Sequence, residues 1–213
     1  MKSKSQIRKA EREMARRHFA HYSAGPAESQ GESINSCYTA ADIIVIFNQT
    51  FALSEQTLLV AGGKEPVYYP AGFEENPGVF HKIIFTNDFV SSALHEIAHW
   101  CIAGKRRRQL DDYGYWYVPD GRSHEQQWLF SRVEIKPQAL EWLFSEVCGV
   151  KFHLSTDNIN GSEDSTSNSL CEQFRRDVSA QTLSYQQNGL PPRAEIFRTA
   201  CLAFFGELLW GFY

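Results

Sequence analysis

The sequence predicts a single α+β domain, with a small mixed or antiparallel sheet packed by about five to six helices. Three observations carry this expectation. Short runs with strand character come early and longer helical periodicities come late, without the βαβ alternation of a doubly wound fold. The chain has 213 residues, below the ~250–300 at which chains tend to split into domains. Its apolar and charged fractions, 43% and 22%, are those of an ordinary globular protein and exclude wholesale disorder.

The elements follow in order. Residues 39–51 read as a helix because Ile43, Ile44, Phe47 and Phe51 recur at helical spacing. Residues 57–61 and 67–69, separated by Gly62, Gly63 and Pro66, read as two strands joined by a turn, and residues 81–86 as a third strand. Residues 87–103 form an amphipathic helix, with Asn87 or Asp88 as its cap and Gly104 as its stop. Residues 113–118 (YGYWYV) are a further strand candidate, closed by a Pro-Asp-Gly turn. Two helices over 123–133 and 137–148 follow, with Pro137 suited to a first turn. A short strand over 151–154 and two longer helices near 165–187 and 192–209 complete the chain.

The net charge of −4 conceals an asymmetry. Residues 1–17 hold seven Lys or Arg against two Glu, so the body is distinctly acidic. Residues 1–35 read as a basic helix and a flexible linker, and residues 36–213 as the functional domain. A solvated appendage is the ordinary reading of such a charge run. Nothing in it has the aromatic interleaving of a nucleic-acid module, so no direct nucleic-acid contact is required. The five cysteines (Cys37, Cys101, Cys148, Cys171, Cys201) show no CxxC spacing and read as reduced and structural. No run reaches the ~18–20 apolar residues of a membrane helix. The chain start lacks a secretory signal, so a soluble cytoplasmic protein is expected.

The chemistry concentrates in His95-Glu96-Ile97-Ala98-His99. Residues four apart on a helix share a face, so both imidazoles can reach one ion, while Val90, Leu94, Ile97 and Cys101 form a separate stripe for packing. Imidazole suits zinc, iron, copper or nickel alike. The bland alternative is two histidines paired with nearby carboxylates. A third ligand is needed. The HExxHxxGxxH pattern fails, because position 102 is Ile and position 105 is Lys. Glu125, opening the next helix, is the preferred third ligand, with His124 and then Glu141 behind it. Glu96 is a general base in a zinc peptidase, or a substrate-positioning carboxylate in an oxygenase.

The run Lys105-Arg106-Arg107-Arg108 follows the metal helix. Such a run is usually a solvated helix end, but Arg106 and Arg107 could dock an acidic macromolecule. Tyr113, Tyr115, Trp116 and Tyr117 suit a packed strand. They could instead line a channel for a side chain carrying an ammonium, through cation–π contacts, with Asp111, Asp112 and Asp120 holding the cation.

The stretch ALHEIAHWCIAGKRRRQLDDYGYWYVPDGRSHEQQ, continued by WLFSRVEIKPQALEWLF, resembles the bacterial elongation factor P hydroxylase family, and the resemblance extends from about Ser36 onward. It implies hydroxylation of the modified lysine of elongation factor P, after another enzyme has attached a β-lysyl group. It also implies a non-haem metal held by two histidines and one carboxylate. His95 and His99 match the histidine pair and Glu125 in SHEQQ matches the carboxylate. Tyr115, Tyr117, Asp120, Arg106 and Arg107 become candidate substrate contacts. The chemistry is consistent with iron(II) and O₂, because two histidines and a carboxylate leave room for both O₂ and substrate; zinc or another divalent metal could occupy the same ligands. A small zinc metallopeptidase with Glu96 as base is one alternative. A non-catalytic module that binds elongation factor P or the ribosome is the other.

Overall fold

A computed structural model describes residues 38–87, 89–114, 124–155 and 165–210. Within them five helices surround a three-stranded mixed sheet, the α+β architecture expected. The basic segment 1–35 lies outside the described residues.

Helix α1 (Ala40–Phe51) begins with a capping box: the Asp42 N–H donates to Thr39 Oγ1, and the Thr39 N–H donates to the Asp42 carboxylate at 2.8 Å. It buries Ile43, Ile46, Phe47 and Phe51. Strand β1 (Thr57–Gly63) lies beside it, and buried Asn48 closes the strand's outer edge. The Asn48 side chain accepts from the Leu59 N–H at 2.7 Å and donates to the Leu59 carbonyl at 3.2 Å. Both edge groups of Leu59 are thereby satisfied without another strand.

Strands β2 (Val67–Tyr69) and β3 (His81–Thr86) complete the sheet in the order β1-β3-β2. The expected pairing of the first two strands across a turn is therefore corrected. β3 lies between them, parallel to β1 and antiparallel to β2. HKIIFT takes the position with partners on both sides. Leu59, Ile83 and Tyr68 line up across the sheet in one buried row. The link from β1 to β2 passes tightly over the end of β3 at Gly63, where a Cβ would come within 2.7 Å of the Glu65 carbonyl and 2.8 Å of the Ile84 side chain.

Helix α2 (Val90–Ile102) is capped differently from the sequence expectation. Its N-cap is Phe89, with no side-chain hydrogen bond. Asn87 instead takes a left-handed turn conformation (φ 51°), and Asp88 lies outside the described residues. At the other end Arg193 reaches in from a later helix and donates to the carbonyls of Trp100, Cys101 and Ala103. Its guanidinium lies 4.6 Å from the Trp100 ring centroid. The C-terminal carbonyls of α2 are thus satisfied by a distant arginine, not by the cationic run that follows the helix.

Two 3-10 turns, Arg107–Gln109 and Asp111–Gly114, come next. Tyr113 and Gly114 therefore belong to a turn and not to the predicted strand; the rest of that candidate, 115–118, lies outside the described residues. Helix α3 (His124–Val147) replaces the two helices predicted around Pro137, which sits inside it. The proline removes one N–H donor, and burial of Ala139, Leu140 and Phe144 in the core outweighs that loss. Residues 151–155, expected as a short strand, carry no regular structure and join no sheet of described residues; the Gln138 side chain pairs with both backbone groups of Ser155 at 3.1 Å.

Helices α4 (Ser165–Asn188) and α5 (Pro192–Trp210) run as expected, with Pro192 in the first position of α5. α4 packs on α3, and α5 packs on α1, α2 and α3. Trp100 is at the centre of the core, 5.0 Å from Phe47 and 4.8 Å from Phe51 between ring centroids. Cys101, Cys148, Cys171 and Cys201 form no disulfide among the described residues, while Cys37 lies outside them. No described helix is long and apolar enough to cross a membrane.

Candidate metal centre

α2 and α3 pack directly against each other. α2 contributes His95 and His99, one turn apart, and α3 contributes Glu134 and Glu141, two turns apart on its facing side. Three of these side chains converge. The Nε2 atoms of His95 and His99 are 3.1 Å apart. Glu134 Oε1 lies 3.3 Å from His99 Nε2, and Glu134 Oε2 lies 3.5 Å from His95 Nε2. Metal–ligand bonds of ~2.1 Å put neighbouring donor atoms ~3.0 Å apart at right angles and ~3.4 Å apart in a tetrahedron. The donors already have the spacing of ligands around one ion, and His95, His99 and Glu134 could hold a metal. Two imidazoles with one carboxylate suit iron(II), zinc, copper or nickel.

The surrounding groups support this arrangement. His95 Nδ1 lies 2.8 Å from Glu141 Oε2, so Glu141 orients the ring and directs Nε2 toward the donor cluster. Burial alone would lower the His95 pKa, but the hydrogen bond to Glu141 and the charges of Glu134, Glu141 and Glu96 raise it to about 10. Burial alone would raise the Glu134 pKa, but the charge and hydrogen bond of His99, the charge of His95 and a hydrogen bond from Gln138 lower it to about 2. Glu134 thus meets the centre as a carboxylate.

Glu96 is partly buried beside the cluster. Burial raises its pKa; the His95 and His99 charges oppose this, while Glu134 and Asp112 reinforce it. Asp112 and Tyr113 both adopt left-handed backbone, with φ of 44° and 58°, a strain of roughly 1–3 kcal/mol each. The strain is held by the sheet. Asp112 Oδ1 accepts the Tyr68 N–H at 2.8 Å, and the Tyr113 ring stacks on Tyr68 with centroids 4.3 Å apart. The Tyr113 hydroxyl is buried and has no hydrogen-bond partner in the described structure.

The residues expected at the site fare differently. His95 and His99 come together, and Glu141 takes its place behind His95. Glu125 and His124 occupy the first turn of α3, but their side chains lie outside the described residues. Tyr115, Tyr117 and Asp120 also lie outside them. Arg106 and Arg107 are exposed just beyond α2. Arg108 is not part of a solvated run: it is buried, pairs with Glu55 at 2.8 Å and lies 5.7 Å from the Trp100 centroid. Glu134 was not among the expected ligands. Its signal is the spacing of Glu134, Gln138 and Glu141, a polar stripe at i, i+4 and i+7 that emerges only when the helix is read through Pro137.

The family model described as elongation factor P hydroxylase matches residues 46–209. A curated protein of Haemophilus influenzae, named elongation factor P lysine hydroxylase, is 50% identical over 164 residues, covering 77% of this chain and 88% of that protein. This extent of similarity leads to one assignment: the chain belongs to the elongation factor P hydroxylase family.

Proposed function

We propose that this protein is a cytoplasmic monooxygenase that hydroxylates the β-lysylated lysine of elongation factor P, using iron(II) held by His95, His99 and Glu134 and O₂ as co-substrate. The convergence of three donor atoms within 4.8 Å of one another carries the reading. Glu134 takes the place first expected for Glu125, which lies nine residues earlier on the same helix, ~13 Å along its axis.

A bound iron(II) would supply the one-electron chemistry toward O₂ that an unactivated lysine C–H bond demands, since that bond has no acidic proton for a base to take. The side chains do the rest. Glu141 holds the His95 ring so that Nε2, not Nδ1, meets the metal. Glu134 supplies the anionic ligand, and Gln138 steadies it while tying α3 to Ser155. Glu96, one residue from His95, is assigned to the substrate side, together with Tyr115, Tyr117 and Asp120. Arg106 and Arg107 stand exposed at the end of the same helix, where they would meet an acidic protein surface.

The test is mass spectrometry of the factor's lysylated lysine after incubation with iron-reconstituted protein and a reductant. One added oxygen mass is expected. No added mass overturns the assignment, as does peptide hydrolysis abolished by Glu96→Gln, which would indicate a zinc peptidase.

A further inference from the structure

A cavity of about 570 Å³ opens between α3 and α4, within the roughly 300–1,000 Å³ of small-molecule sites. Three pieces of chain wall it. α3 contributes Trp142 and Glu146, four residues apart, and α4 contributes Arg175 and Ser179, also four apart and so on one face. The third wall is the chain that follows α3. Gly149 turns it back with a left-handed backbone (φ 63°), and the Val150 N–H donates to the Ser145 carbonyl at 3.0 Å. The chain then returns along α3 as far as Ser155, which Gln138 holds. Along this stretch Val150, Phe152 and Leu154 are partly buried and line the cavity, while His153 is exposed at its rim.

The lining is chemically divided. The Trp142 and Phe152 rings stack with centroids 5.2 Å apart and planes 12° apart, and both remain partly exposed. With Leu154 they form an apolar wall. Glu146 and Arg175 bring opposite charges to the same cavity, yet they do not pair with each other. Neither forms an ion pair with any other described residue. The Ser179 hydroxyl donates to the Arg175 carbonyl at 2.9 Å, which leaves its oxygen as an acceptor. An anion alone would meet Glu146 as a like charge, and a cation alone would meet Arg175. A purely apolar ligand would desolvate both charges without replacing their water. A ligand carrying both signs beside an apolar group satisfies every part of the lining.

We propose that this cavity binds a free α-amino acid with a large apolar or aromatic side chain. The ligand's carboxylate meets the Arg175 guanidinium, whose planar fork matches two carboxylate oxygens. Its ammonium, with three donors and no acceptor, meets the Glu146 carboxylate and the Ser179 oxygen. Its side chain lies against Trp142, Phe152 and Leu154. The site is separate from the metal chemistry and does not depend on it. α3 presents Glu141 to His95 on one side and Trp142 to the cavity on the other, so one helix serves both places.

The test is calorimetric titration of the full-length protein with L-tryptophan, with tryptamine, which lacks the carboxylate, and with indole-3-propionate, which lacks the ammonium. L-Tryptophan should bind more tightly than either analogue by about tenfold, the worth of one charge-assisted hydrogen bond. Arg175→Gln should erase the advantage over tryptamine alone, and Glu146→Gln the advantage over indole-3-propionate alone. Trp142→Ala should weaken all three ligands. Glu146 and Arg175 are exposed, so their two variants should keep the wild-type thermal midpoint and metal content. The site is overturned if L-tryptophan, L-phenylalanine and L-leucine all fail to bind at millimolar concentration. It is overturned equally if either analogue matches or exceeds L-tryptophan, or if the preference survives both charge substitutions.

Discussion

Glu134→Gln is the most direct perturbation of the centre, because it keeps the shape of the side chain and removes only its charge. In the metal-free protein Glu134 is held at about 2, against an ordinary 4.5. That difference corresponds to about 3 kcal/mol of interaction with His99, His95 and Gln138. A depressed carboxylate contributes its full share above its unfolded pKa and loses it as pH falls through the folded value, so all of it is present at neutral pH. The metal-free variant should therefore melt roughly 6–12 °C lower. The effect on metal should be larger, since the lost charge belongs to one of the three proposed ligands. Removing an outer partner of a metal ligand costs about 10–100-fold in affinity, which sets the expectation for Glu141→Gln. Glu134→Gln should exceed 100-fold, and Glu125→Ala should leave affinity unchanged. Zinc titration against a chromophoric chelator measures all three. If Glu125→Ala loses the metal while Glu134→Gln retains it, the ligand assignment is refuted.

Metal binding should also release protons. His95 is held at about 10 without metal, so near neutral pH it carries a proton that the ion displaces; calorimetry in buffers of different ionisation enthalpy should show about one proton released, and zinc affinity should rise with pH up to about 10. Zero release would contradict the His95 assignment. Arg193→Ala strips three carbonyls at the end of α2 of their donor and removes the contact over Trp100. It should cost about 2–4 kcal/mol, seen as a fall of roughly 5–15 °C in thermal midpoint. Reversing the charge of Arg106 and Arg107 together should raise the KM for elongation factor P several-fold at low salt, with the difference closing as salt screens it; a salt-independent KM would exclude them as a docking surface.

How much was legible in the sequence depended on whether a signal was local. The helix over 39–51 and the histidine pair one turn apart are read from spacing alone, and the structure contains both, together with the two longer helices expected near 165–187 and 192–209. The order of the sheet was not readable, since it depends on which strand wins two partners. That was decided by Ile83 and Phe85 entering the core between Leu59 and Tyr68. Arg108 looked like part of a solvated run until Glu55, 53 positions away, supplied its partner. Glu134 was missed for a different reason. Pro137 invites a helix boundary because it lacks an N–H, and a boundary there hides the spacing that links Glu134 to Glu141.

The continuity of α3 through Pro137 is what builds the centre. One uninterrupted helix places Glu134 on the Nε2 side of His95 and Glu141 on its Nδ1 side, so two carboxylates two turns apart grip opposite edges of one imidazole. The helix stretch that carries them also carries Ala139, Leu140 and Phe144 into the core and, through Gln138, pins Ser155. Sliding α3 by one turn, ~5.4 Å, would break both histidine contacts and expose the core side chains together. Core packing therefore fixes the register of the carboxylates against the histidines, and a metal held there in turn ties α2 to α3 and stabilises the folded state by mass action. Fold stability and metal affinity are linked through this single helix, so a substitution that loosens its core face, such as Phe144→Ala, should weaken the metal site without touching a ligand.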